Sequence, residues 1–382
     1  MNGIVRNTNY RHYYLLLALF LSAIIINIPT PVCAEEAVLR LLIWEGHAPP
    51  VFVSRFEKQI EEKYGSKVKL QISYMDGTDG YYDLIRSGSV DMVMLTHDLI
   101  KDKRFNFIDN KLLLPLDLKN IPNFKHMSPT LQNAEYLYSN GHVYGAPESQ
   151  GPYVLAYNKS LLKEAPKSWD ILWNPQFKDK YIIGANEYPY NTMITALALG
   201  YPRESLGNYD ALNNPTFKKK LRQLAVNAHA FWIGVDKADD LFGHLLATVW
   251  GDSLGPLKQR GEQWERAEPV EGTPFWIDNM SMTSALADKP FLKKVAEEYI
   301  NELLSTDYQI SHILRVVGTL PVISDIDNLL TPEEKQRIKL GTINTLNTNR
   351  VLLPTCSRRD RNGLRILWQE AMEGIAINKG ME

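Results

Sequence analysis

Residues 38–74 read VLRLLIWEGHAPPVFVSRFEKQIEEKYGSKVKLQISY, and the change of hydrophobic period along them decides the fold class. Val38 to Trp44 is a β-rich apolar run. Pro50 then stands where a first helical turn tolerates it, and Phe52, Phe56, Ile60 and Tyr64 recur every four residues until Gly65 stops the helix. Val68, Leu70, Ile72 and Tyr74 alternate with polar residues as a second strand. Working outward, Tyr81 to Ser87 can form a short helix, and Val90 to Leu95 reads as a third strand buried on both faces. The unit is βαβαβ, which predicts a parallel sheet with right-handed crossovers.

In open parallel sheets ligands lie beyond the carboxyl ends of the strands, where loops converge and helix N-termini point in. Trp44, Glu45 and His47 stand there after the first strand, Asp76 after the second, and Thr96, His97 and Asp98 after the third. A second set repeats the pattern: Tyr181 to Ala185 runs into Asn186-Glu187 ahead of a helix ending at Gly200. His229 to Val235 is another strand candidate, and Ala247 to Trp250 leads into Gly251-Asp252-Ser253. The last third reads as mainly helical, including Lys293 to Leu304 and Thr331 to Leu340. Two α/β lobes without a glycine- and proline-rich linker predict a bilobed protein whose cleft closes around a ligand. The chain is expected to cross near Gly145 to Pro152, Thr273 to Phe275 and Leu320 to Ser324. That makes residues 35–150 with 276–322 one lobe and 151–275 with 323–382 the other.

Before the first strand, Arg6 and Arg11 precede an apolar segment from Tyr13 to Ile28, and Pro29 and Pro31 break it ahead of Val32-Cys33-Ala34. This is the pattern of a cleavable export signal over residues 1–34, whose apolar segment is shorter than the roughly 20 residues that a membrane span needs. Export without Cys33 leaves Cys356 as the single cysteine, so no intrachain disulfide can form and the core must supply stability. The 382 residues carry 42 Lys+Arg against 44 Asp+Glu, net −2, and loss of Arg6 and Arg11 makes the chain slightly more acidic. That balance gives no footprint for nucleic acid or an anionic membrane.

At four places that follow a strand-like apolar run, an aromatic residue stands within three positions of a carboxylate: Trp44-Glu45, Glu187 with Tyr190, Trp250-Gly251-Asp252 and Trp276-Ile277-Asp278. A linear polyamine needs such alternation, with acids for its nitrogens and ring faces for its methylenes. Each residue also has a plainer reading, since strand-end acids such as Asp76 and Asp252 serve as helix N-caps. Trp169, Trp173, Trp232 and Trp264 read as packing. A protonated His47 would repel a polycation, so a binding role requires it neutral or accepting. Paired carboxylates in a cleft could instead hydrolyse a glycoside, and a Cys with a His could form a nucleophilic pair. Against an enzyme, no His-Glu-x-x-His helix or phosphate-binding glycine loop is present, and Cys356 lies in a Thr-Cys-Ser-Arg-Arg stretch of loop character. No cofactor or metal site is expected; Tyr81-Tyr82, a weak metal pair, would not face one way on a helix.

Beyond these features the chain resembles the periplasmic spermidine/putrescine-binding proteins of ABC transport systems. The resemblance spans the exported chain and rests on Trp44-Glu45-Gly46-His47-Ala48-Pro49-Pro50, Pro115-Leu116-Asp117 with Ile121-Pro122-Asn123, and Gly141-His142-Val143-Tyr144-Gly145-Ala146-Pro147. Leu155-Ala156-Tyr157-Asn158, Ser168-Trp169-Asp170-Ile171-Leu172-Trp173 with Phe177-Lys178 and Lys180, and Phe275-Trp276-Ile277-Asp278 complete it. It implies a type II periplasmic-binding-protein fold, two discontinuous α/β lobes with the ligand between them. The implied ligand contacts are Trp44, Glu45, His47, Thr96, Asp98, Glu187, Tyr190, Trp250, Trp276 and Asp278, with Asp252 and Thr319 at neighbouring positions. Relatives usually have Ser or Thr, an acid and then Tyr after the first-loop Trp, where this chain has Glu45-Gly46-His47. Gln150 and Thr319 stand where Trp and Tyr are common, so the site is expected to be wider or wetter. Within the family the chain looks most like norspermidine-sensing members. That implies norspermidine and spermidine as ligands, and as partner an inner-membrane GGDEF/EAL sensor of cyclic-di-GMP and biofilm; otherwise the partner is an ABC permease.

Overall fold

A computed structural model describes residues 36–75, 80–251, 253–341 and 349–375. The expected export signal, Asp76 and Asp252 lie outside the described residues. The opening unit forms as its periodicity requires: β1 (Ala37–Ile43), α1 (Pro50–Tyr64), β2 (Val68–Tyr74), α2 (Tyr81–Arg86) and β3 (Met92–Thr96). In α1 Pro50 occupies the first turn, and Phe52, Val53, Phe56 and Ile60 face the core. Gly65, at φ 65°, turns its N–H back to the Glu61 carbonyl at 2.8 Å. This left-handed cap suits glycine because a Cβ would strain it.

β1 pairs in parallel with β2 and with β3. The chain then reaches β4 (Ala146–Pro152), turns at Tyr153 into β5 (Val154–Asn158), and builds β6 (Tyr181–Gly184), α3 (Tyr188–Ala198), α4 (Pro215–Asn227), β7 (Ala230–Trp232), β8 (Leu246–Val249) and β9 (Trp264–Arg266). These strands make a five-stranded sheet in the order β7-β6-β8-β5-β9, parallel at β7-β6-β8 and antiparallel at β8-β5-β9. The return strand β10 (Thr273–Thr283) re-enters the first sheet antiparallel to both β3 and β4. After it come α5 (Pro290–Leu303), a π-helical segment (Tyr308–Val317), α6 (Pro332–Gly341), β11 (Arg350–Leu352) and α7 (Arg358–Met372). The first sheet runs β11-β10-β3-β1-β2, with β4 and the pair Leu113–Leu114 also on β10.

Each sheet has its own hydrophobic core, so the molecule is a bilobed α/β protein of the periplasmic-binding type II fold. One core draws on residues between Leu39 and Ala146 and between Phe275 and Leu330, and the other on Tyr153 to Ala267 and Val351 to Ala371. The chain passes between sheets at Tyr153 and between β9 and β10. The third passage differs from the expectation near Leu320 to Ser324. Ile323, Ile326 and Leu330 still pack in the first core, because the chain after the π-helical segment folds back over the first lobe before leaving it. The passage falls instead at β11, which hydrogen-bonds to β10 while the Val351 side chain enters the second core. A second difference is α7, which begins in a stretch expected to be loop. Ser357 caps it by accepting from the Asp360 N–H at 3.1 Å, and Leu364, Leu367, Trp368 and Ala371 lie on its buried face. No described helix is long and apolar enough to cross a membrane.

Trp276 belongs to β10 in the first sheet, yet its side chain joins the second core. It does so by lying against Gly151 on β4, where a Cβ would come within 2.8 Å of the indole. Gly151→Ala is therefore expected to destabilise the protein by about 1 to 3 kcal/mol through overpacking. Urea denaturation of the two forms checks this, and equal midpoints would show that the indole moves aside freely.

Candidate ligand-binding cleft

The strand ends of both sheets open on one cavity with an empty volume of about 740 Å³, counting its mouth to solvent. After β1 the chain turns at Gly46, φ 93°, and this sets Trp44 and His47 on the cavity wall. Thr96 and Asp98 follow β3, Asn186 and Glu187 follow β6, and Tyr190 lies in the first turn of α3. Gly234 and Val235 follow β7, and Trp250 follows β8. Trp276 and Asp278 come from within β10, and Thr319 follows the π-helical segment. Ten of the twelve residues expected from sequence thus line a single cavity. Asp252 lies outside the described residues.

Glu45 departs from the expectation. It does not line the cavity; its side chain is 55% exposed and faces Lys237 Nζ at 3.5 Å. The turn at Gly46 directs its neighbours inward and Glu45 outward to this cation from the other lobe.

Trp250 is the hub of the ring system. Its indole lies 4.7 Å from Tyr153, 4.8 Å from Tyr190 and 6.1 Å from Trp276, the last two nearly perpendicular. Such edge-to-face packing holds large rings rigid with their faces defined. Its loop is tied by buried Asp236, which accepts from the N–H groups of Trp250 at 2.7 Å and Ser253 at 3.0 Å and from Ser253 Oγ at 2.5 Å. Burial pushes the Asp236 carboxyl up, while those donors pull it back. Asp236 was not among the residues singled out, although it stands just beyond a strand end and the rule used for the others would have found it.

The carboxyls give the cavity its chemistry. Burial, with a further push from Asp236, raises Glu187 to about 8. Asp278 rises to about 7, again chiefly through burial, with His47 and the Trp44 indole opposing and Glu148 and Asp98 adding to the rise. Asp278 Oδ1 and Asp98 Oδ1 are buried without a hydrogen-bond partner. His47 Nδ1 lies 3.0 Å from Glu148 Oε2. Burial drives Glu148 upward, but His47 and the Tyr308 hydroxyl, 2.7 Å from Oε1, outweigh it and hold the carboxyl below its ordinary value. His47 thus faces an acid of its own within the cleft wall.

Two features were not legible. Leu353, in the third passage, lines the cavity, and its carbonyl lies 3.0 Å from Nε2 of buried His97. Arg361, on α7, also lines the cavity and is paired with Asp98 and, at 2.7 Å, with Asp102. Cys356 is buried, and burial pushes its thiol up to about 12, the opposite of an activated nucleophile. Among the described residues no group of three or more His, Cys, Asp or Glu could hold a metal ion.

The sequence profile of bacterial extracellular solute-binding proteins matches residues 87–349. The chain belongs to this family. This solute-binding protein is 24% identical over 309 residues to the spermidine/putrescine-binding periplasmic protein of Salmonella typhimurium, covering 78% of this chain and 82% of that one. Among solved structures, the spermidine/putrescine ABC transporter substrate-binding protein PotD of Streptococcus pneumoniae superposes with a TM-score of 0.67 at 19% identity, over 88% of this chain and 98% of that one. AgtB of A. tumefaciens R10, solved in complex with agropinic acid, gives 0.63 at 13% identity over the same shares. One fold thus serves chemically different ligands, and the side chains of the cleft must decide between them.

Unfolded carboxyls titrate near 4, whereas Glu187 and Asp278 titrate near 8 and 7 in the folded solute-binding protein. The folded state holds the extra protons, so this contribution is full below about pH 4 and is lost as pH rises to about 8. Ligand-free protein is expected to lose on the order of a few kcal/mol between about pH 5 and pH 8 from these groups, at about 1.4 kcal/mol per pKa unit. Denaturation across this range should show a flatter slope in Glu187→Gln/Asp278→Asn. An identical slope would place the protons elsewhere.

Proposed function

We propose that this is a periplasmic polyamine-binding protein whose lobes close on a linear triamine, norspermidine or spermidine. The observation that carries the reading is Asp278, 5% exposed, with Oδ1 unpartnered in a cavity walled by Trp250 and Trp276. A buried carboxyl raised to about 7 is destabilised as an anion, and a ligand ammonium removes that penalty while the indoles cover the methylenes. Glu187 from the other lobe supplies the opposing acid, so one ligand spanning both favours closure. Charged hydrogen bonds contribute about 1.5 to 3 kcal/mol each and desolvated cation–π contacts about 2 kcal/mol. A few of each reach micromolar affinity, near −8 kcal/mol.

Calorimetry with norspermidine tests this. Asp278→Ala is expected to weaken binding at least tenfold; unchanged affinity would remove Asp278 from the site. Because an ammonium displaces the protons of Asp278 and Glu187, binding between pH 6 and 7 should release protons, giving an enthalpy that depends on the buffer, and affinity should rise toward pH 8. A buffer-independent enthalpy would contradict this coupling.

We further propose that the closed protein reports to an inner-membrane GGDEF/EAL enzyme that sets cyclic-di-GMP and biofilm formation. The resemblance to norspermidine-sensing proteins supports it. A second reading, the binding subunit of an ABC permease, is favoured by the names of the relatives, which are spermidine/putrescine-binding and transport proteins. Pull-down from membranes with norspermidine-loaded protein separates the two: recovery of the signalling enzyme supports the sensor, and recovery of permease subunits alone overturns it.

A further inference from the structure

Arg361 sits in the first turn of α7, a helix that packs on the second core through Leu364, Leu367 and Trp368 and donates from the Trp368 indole to the Ala185 carbonyl at 2.7 Å. Its guanidinium reaches across to the turn after β3, on the first lobe, and lies between Asp98 and Asp102. All three side chains are at most 2% exposed. A guanidinium does not give up its proton, so Arg361 is a fixed positive charge between the two acids, and the Arg104 guanidinium adds a second beside Asp102. Asp102 accepts from the Arg104 N–H at its Oδ1, 2.7 Å, and its Oδ2 lies 2.7 Å from Arg361 Nε as an ion pair without hydrogen-bond geometry. Asp98 gives Oδ2 to the Arg361 terminal nitrogen, and its Oδ1 has no partner, in a residue that lines the cleft.

We propose that Arg361 and Asp102 are positioning residues that hold Asp98 by one oxygen and keep the other available as a third ammonium acceptor beside Asp278 and Glu187. The inference rests on the polyamine reading and adds to it a device for counting nitrogens. A diamine satisfies two acids and leaves Asp98 Oδ1 buried and unpaired, whereas a triamine satisfies all three. The guanidinium is required because its planar fork donates to Asp98 in a fixed direction while its Nε stays paired in charge with Asp102. A lysine at the same place is a point charge on a flexible stem.

The test measures the full chain by calorimetry against norspermidine and 1,3-diaminopropane, which share the methylene spacing and differ by one ammonium. The unmodified protein is expected to prefer the triamine at least tenfold. Arg361→Lys keeps the charge and loses the fork, and it should lower triamine affinity about tenfold with diamine affinity little changed. Asp102→Asn frees the guanidinium from its second partner and should act in the same direction; it decides the matter alone if Arg361→Lys does not fold. A merely structural role would lower both affinities by one factor, and that result, or an unchanged ratio, overturns the proposal. Equal affinity of the unmodified protein for the two amines overturns it as well. If the unmodified protein binds neither amine, the polyamine reading itself fails, an outcome separate from any change in the ratio.

Discussion

The cleft is organised around negative charge withdrawn from water faster than protein cations can neutralise it. Asp98, Asp278 and Glu187 line the cavity, and Arg361 is the guanidinium among its lining residues, already shared between two acids. Burying a carboxylate without a partner is costly, and the molecule meets the cost in two ways. Asp98 is held by an ion pair, whereas Asp278 and Glu187 shift toward their neutral forms. Both are arrangements that a multiply protonated ligand of the proposed kind would improve.

That arrangement depends on the discontinuous topology. β10 runs antiparallel between β3 and β4 and delivers Trp276 and Asp278 from its middle, not from a loop. A residue inside an eleven-residue strand is fixed in two directions by its ladder, which is the rigidity a binding site needs. The Trp250 loop, by contrast, is irregular and takes its order from Asp236 beneath it.

The first lobe is readable because its periodicities are strong: four-residue spacing in α1, alternation in β2, and a β3 that is apolar up to Thr96. The strand-end rule then placed Trp44, Thr96, Asp98 and Glu187 at the cleft without knowledge of the other lobe. Where the reading stopped, the cause is tertiary. Glu45 lies between two cavity residues, Trp44 and His47, and only the backbone turn at Gly46 decides that it faces Lys237 instead. The third passage was set too early because Ile323 to Leu330 is neither clearly strand nor helix. Arg361 stood in a stretch whose polar start, Ser-Arg-Arg-Asp-Arg, conceals the apolar face that begins at Leu364. Nothing local to that segment announces that its arginine meets two acids more than 250 positions away.

The ring system around Trp250 has a practical consequence. Indole emission responds to nearby charge and to water, and Trp44, Trp250 and Trp276 all line the space a ligand would enter. The protein therefore carries intrinsic optical reporters on the wall of its cleft. Occupancy can be followed in real time without attaching a dye, at protein concentrations far below those that calorimetry demands.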